Sequence, residues 1–152
     1  MIVDAHVVLA GFLSDEAQAQ AQAVIRNQLF GRRHLAVPSL LVYEVTNAAV
    51  QAACRGCIST DQAQEILATF EGLAIELQTV MWQSILSFAQ RFDRSTYDAA
   101  CLALADAAGQ PLSTGGKRLY NAVRERLDWV RWLGDYEEAA GGDLREVVRI
   151  SH

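Results

Sequence analysis

Polar residues stand where apolar runs end. Asp4 follows Ile2-Val3, Ser39 and Glu44 follow Leu35-Ala36-Val37, Asp98 opens a helical segment, and Thr114 closes Pro111-Leu112-Ser113. Acids this far apart in sequence can converge only through a fold that brings strand ends to one edge. Converging carboxylates repel and lose solvation unless a cation holds them, and hard oxygen donors suit Mg²⁺ or Mn²⁺. Such an ion lowers the pKa of a bound water and clamps a phosphodiester for hydrolysis. Asp4, Glu44 and Asp98 are therefore candidates for holding such an ion, with Ser39 and Thr114 at the same strand ends.

Each acid also has a structural explanation. Asp98 ends Ser95-Thr96-Tyr97-Asp98, an S-x-x-D capping box, so helix capping accounts for it as well as metal binding does. Glu44 shares a stripe with Asn47, Gln51 and Arg55, the spacing of a solvated helix face. An Asp at a strand end can form a turn or cap a helix, although an acid between Ile2-Val3 and Val7-Val8-Leu9 adds little there to stability. His6 reads either as a hydrogen-bonded residue or as a nitrogen ligand that favours Mn²⁺. His34 and His152 show no partners in the sequence.

The elements that must position these groups alternate along the chain. Strands are expected at Ile2-Val3, Leu35 to Val37, Ile75 to Thr79, Pro111 to Thr114 and Trp129 to Leu133. Helices are expected over Asp15 to Leu29, with Ala17, Ala21, Val24 and Leu29 inward, over Leu40 to Arg55 with Ser39 as N-cap, and over Thr60 to Phe70. Three more should run from Met81 to Arg91, Thr96 to Ala108 and Lys117 to Leu127, the last with Leu119, Val123 and Leu127 inward. Strands separated by helices of this length imply parallel crossovers. The fold class is α/β, a three-layer α/β/α sandwich with a mostly parallel central sheet, and its ligands should bind beyond the carboxyl ends of the strands.

At 152 residues, 51% hydrophobic and 20% charged, the chain has the material for one folded domain over 1–152 and not for a disordered one. The longest charge-free stretch, Leu77 to Gln90, is too short to span a bilayer, and the N-terminus has no signal-peptide pattern. A cytoplasmic protein without membrane contact is expected. The net charge of −5 argues against coating nucleic acid through bulk positive potential. Locally, five basic residues face two acids between Lys117 and Arg131. Lys117, Arg118, Arg124 and Arg126 there are either a solvated helix face or a phosphate-binding patch. Acids dominate the following tail, Asp135 to Glu146. Three cysteines make no disulfide framework, Cys54-x-x-Cys57 lies at a helix end with Gly56 as a stop, and Cys101 reads as core.

Four segments together resemble PIN domains, and within them VapC-type toxins of bacterial toxin–antitoxin modules. They are Ile2-Val3-Asp4-Ala5, the run Val37 to Ala48 with Glu44, the run Tyr97 to Ala105 with Asp98, and Ser113-Thr114-Gly115-Gly116-Lys117-Arg118-Leu119. The resemblance implies a Mg²⁺- or Mn²⁺-dependent endoribonuclease whose carboxylates are Asp4, Glu44 and Asp98, with an RNA substrate, a cognate antitoxin and a homodimer. Two positions depart from it: Gly116 stands where the family usually has an aspartate, and His6 where a small polar residue is common. With one acid missing, the alternative is a degenerate PIN-like domain that binds RNA or an antitoxin without efficient cleavage. If the absent acid limits cation binding, Gly116→Asp should raise metal affinity. A phospho-acceptor signalling domain would want a paired acid after the first strand and an acceptor Asp after a central one, and the chain offers neither clearly.

Overall fold

The computed structural model describes residues 1–13 and 17–137. Five strands, β1 (Ile2–Val3), β2 (Ala36–Pro38), β3 (Glu76–Gln78), β4 (Leu112–Thr114) and β5 (Val130–Trp132), form one parallel sheet in the order β3-β2-β1-β4-β5. Successive side chains on a strand face opposite ways, and two cores follow from that. Val3 and Val37 enter one core with helices α1 (Ala5–Phe12), α2 (Gln18–Leu29), α3 (Leu41–Cys54) and α4 (Thr60–Gly72). Ile2 and Ala36 enter the other with α5 (Trp82–Phe92), α6 (Thr96–Ala108) and α7 (Lys117–Val123). The sheet is thus covered on both sides, as an all-parallel sheet requires, and the expected α/β/α sandwich is what forms.

The differences from the sequence reading are local. The helix expected from Asp15 is seen from Gln18, and Asp15 lies outside the described residues. Leu29 does not face inward but is 59% exposed. The stripe set by Ala21 and Val24 continues at the spacing of an α-helix to position 28; there the Gln28 amide donates to Leu73 O at 3.3 Å and accepts from Leu35 N at 2.8 Å. Ser39 does not cap α3: the N-cap is Leu40, without a side-chain bond. Ser39 instead donates its backbone N–H to Gln78 O at 2.8 Å, extending the β2–β3 pairing by one residue. Helix α7 ends at Val123 and turns carry the chain on, yet Leu119, Val123 and Leu127 are all buried. Cys54 closes α3 ahead of Gly56 at φ +75°, both thiols of the pair are exposed, and Cys101 is buried. Most of the acidic tail and His152 lie outside the described residues. No helix among the described residues is long and apolar enough to cross a membrane.

Candidate active site

The chain leaves β1 for β2 and β3 on one side, then returns to lay β4 on the other side of β1. That reversal opens a crevice at the carboxyl ends of β1 and β4, where open parallel sheets bind their ligands. Asp4 and Thr114 are the residues that sit there. Asp4 has extended backbone (φ −99°, ψ 176°) and caps α1: its Oδ1 accepts from Val7 N at 3.1 Å. The same oxygen accepts from Gly115 N at 3.4 Å, and Oδ2 accepts a short hydrogen bond from the Thr114 hydroxyl. Gly116 N in turn donates to Thr114 Oγ1 at 2.9 Å. Asp4 is therefore a helix cap and also the buried acid of the crevice, at 3% exposure.

Glu44, in the first turn of α3, and Asp98, in the first turn of α6, approach from either side. Both are half-buried. Burial and then the Asp4 charge push the Glu44 carboxyl up to about 6, with His6 opposing. The same two causes raise Asp98, with His6 and Arg94 opposing. Burial foremost, and then the charges of Asp4, Glu44 and Asp98 together, pushes the Cys101 thiol up, so all three acids act on one point beneath the site. Only the first half of the Ser95 box forms: Asp98 N donates to Ser95 Oγ at 3.2 Å, whereas on α4 Ser59 and Gln62 close both bonds. The Asp98 carboxylate is left to the site.

His6 lies on the first turn of α1, half-exposed, with Nδ1 3.5 Å from Asp4 Oδ2. Its bond to Asp4 holds the imidazole up at about 9 against the opposing effect of burial, with the three acids adding to the rise. His6 and Asp98 line a cleft of about 370 Å³ together with Arg94, Ser95, Lys117 and Arg118. Sequence reasoning missed Arg94. Its signal is the place directly after Asp93, whose left-handed backbone (φ 51°) ends α5. Arg94 Nε donates to Asp93 O at 2.7 Å, which aims the guanidinium at the end of that helix. Lys117 and Arg118 reach the cleft, while Arg124, stacked 5.3 Å over the Tyr120 ring, and Arg126 are exposed at the far end of α7. Among the described residues Ser39 makes backbone bonds, to Gln78 O and from Val42 N, and no side-chain bond to the site acids.

Oxygen donors of this kind suit a hard divalent cation, which would offset the burial and the Asp4 charge that disfavour ionised Glu44 and Asp98. Among the described residues no three His, Cys, Asp or Glu side chains form a ready-made cage. A second cleft of about 390 Å³, between α3, α4 and β3, is lined by Val42, Leu67, Phe70, Ile75 and Leu77 and is largely apolar.

The PIN domain family model matches residues 1–125. Ribonuclease VapC3 from Pyrobaculum aerophilum is 27% identical over 123 residues, which cover 78% of this chain and 91% of that protein. Among solved structures, PAE2754 from Pyrobaculum aerophilum superposes with a TM-score of 0.63 at 22% identity, over 80% of this chain and 77% of that one. Mycobacterium tuberculosis VapC20, described as a sarcin-ricin loop cleaving toxin, gives a TM-score of 0.55 at 14% identity, over 80% and 94%. These two share the fold. With the family match spanning the crevice and every acid in it, the chain belongs to the PIN domain family.

Proposed function

We propose that this protein is a metal-dependent endoribonuclease, the toxin of a toxin–antitoxin module, with Asp4, Glu44 and Asp98 as its metal-binding and catalytic carboxylates. The observation that carries this reading is the buried Asp4 carboxylate at the end of β1, held by Thr114 and Gly115 from the end of β4, with half-buried Glu44 and Asp98 near enough to feel its charge. Mg²⁺ or Mn²⁺ held there would supply an activated water and charge neutralisation at the scissile phosphate. The chain's own residues do the rest. Thr114, Val7 N and Gly115 N fix the Asp4 carboxylate, so it is oriented before any ligand arrives. Glu44 and Asp98, in the first turns of α3 and α6, would complete the carboxylate set. Arg94, Lys117 and Arg118 give the cleft a basic rim that suits backbone phosphates, with arginine's fork favouring two oxygens at once.

The partners follow from the same reading. A small antitoxin would lay apolar side chains into the cleft of Val42, Leu67, Phe70 and Leu77 and present a basic group to the acids, and the toxin would form a homodimer. Gly116 favours a second reading, a domain that binds RNA or antitoxin without efficient cleavage. Purified partner-free protein, incubated with RNA in chelator, Mg²⁺ or Mn²⁺, separates the two. Cleavage that appears only with the ion and disappears in Asp4→Asn supports the nuclease. Binding without cleavage under every ion supports the degenerate domain.

A further inference from the structure

Ser113 stands where an apolar residue would serve the fold better. In the sheet it pairs with Val3 on β1 and with Arg131 on β5, so its side chain faces the side on which Val3 enters a core. Four polar residues are buried among the described residues, and Asp4, Asn27 and Thr114 all make side-chain hydrogen bonds. Ser113, at 3% exposure, makes none with its hydroxyl among the described residues. A hydroxyl buried without a partner costs stability. It lines a cavity of about 240 Å³ between β4, β5 and the chain that follows β5. Arg131, beside Ser113 in register, lines the same cavity, and so does Arg33, whose guanidinium lies 5.7 Å from the centroid of the Tyr136 ring. Exposed Asp135 and Glu137 also line it, yet neither guanidinium pairs with a carboxylate among the described residues.

We propose that this cavity is a second phosphate site, apart from the acidic crevice, which takes the phosphate of one ribonucleotide unit. Two guanidinium groups without carboxylate partners and a buried hydroxyl without an acceptor are three donor groups around one space. A carboxylate offers two oxygens to such a set and a phosphate offers more, and arginine's fork suits phosphate oxygens. Asp135 and Glu137 repel a bare polyanion and accept from a ligand that carries its own donors, as the ribose hydroxyls do. The space is smaller than the roughly 300 to 1,000 Å³ of pockets for drug-sized ligands, which limits the occupant to a small unit. Thr114, the next residue on β4, turns to Asp4 instead, so the strand serves the crevice and this cavity with successive side chains. Nothing in this site depends on a metal at Asp4. The phosphate comes either from the RNA backbone or from a free mononucleotide.

The test uses the full-length protein in chelator, with adenosine 5′-monophosphate, acetate and a non-cleavable single-stranded RNA as probes, followed by ¹H–¹⁵N NMR. The monophosphate should shift the amides of β4 and β5 at concentrations where acetate does not. The affinity read at those amides should fall about tenfold in Arg131→Gln and in Ser113→Ala, and stay the same in Arg118→Gln, which alters the other cleft. Ser113→Ala should melt no lower than the natural chain, because its hydroxyl holds nothing in the fold. RNA that loses affinity in Arg131→Gln, with a slope of log affinity against log salt smaller by about 0.7, identifies the backbone as the source. Binding of the monophosphate without that effect on RNA identifies a free nucleotide, and either result upholds the site. Shifts confined to the cleft of Arg94 and Arg118, an equal response to acetate, or unchanged affinity in Ser113→Ala overturns the second site and leaves the nuclease reading standing.

Discussion

The Thr114 hydroxyl donates to Asp4 Oδ2 across 110 positions of sequence, tying the end of β4 to the end of β1. This bond fixes one carboxylate of the crevice while it holds two neighbouring strands in register at their functional ends. Thr114→Val keeps the shape and removes the donor, leaving a buried charge one bond short. The variant should lose about 1 to 3 kcal/mol of stability, read by chemical denaturation in chelator. An unchanged midpoint would mean the bond is incidental.

The acids should cost the metal-free protein stability. Glu44→Gln and Asp98→Asn each remove a charge that its neighbours and burial disfavour. Each should raise the melting temperature in chelator and weaken Mn²⁺ binding by about tenfold or more. A loss of stability in both variants would contradict the electrostatic account and point to a structural role instead. This is the trade expected where an acidic site is built for a ligand.

The pH dependence has a definite sign. Glu44 is raised from 4.5 to about 6 and His6 from 6.5 to about 9, so for both the folded state holds protons that the unfolded state releases. Their contribution is full below the unfolded values and is lost as pH rises through the folded ones. Metal-free stability should therefore fall between about pH 4.5 and 6 through Glu44, and again between about 6.5 and 9 through His6. Thermal melts across this range in chelator check it.

Basic residues on α7 and in the turns after it should divide by position. Arg118 lines the cleft and Arg126 does not. Arg118→Ala should weaken binding of a non-cleavable single-stranded RNA and reduce the slope of log affinity against log salt by about 0.7, the loss of one phosphate contact. Arg126→Ala should leave that slope unchanged. Equal effects from both would extend the RNA path past the end of α7.

How much of this was legible in the sequence depended on whether the signal was local. Alternation of short apolar runs with helical stripes gave the strands, most helices and the α/β class, because those patterns reflect burial within a few residues. Asp4 was legible as either a helix cap or an acid of the site, and the structure shows the cap, with the carboxylate buried at the end of β1. Leu29 was misread because its hydrophobicity outweighed its phase on the helix. Ser39 was misread because its backbone serves the β3 edge in preference to a cap. Arg94 depends on the left-handed residue before it, and the closeness of His6 to Gly116 joins the two ends of the domain. Neither has a local pattern to read.

The claim on which the rest depends is that Asp4, Glu44 and Asp98 share an ion. Crystals of the metal-free protein soaked in Mn²⁺ and measured for anomalous scattering test it most directly. The account predicts a single strong peak at the carboxyl ends of β1 and β4, about 2.2 Å from carboxylate oxygens of Asp4 and at least one of the other two acids. A crevice without a peak, in crystals of protein that still cleaves RNA with Mn²⁺, would contradict it.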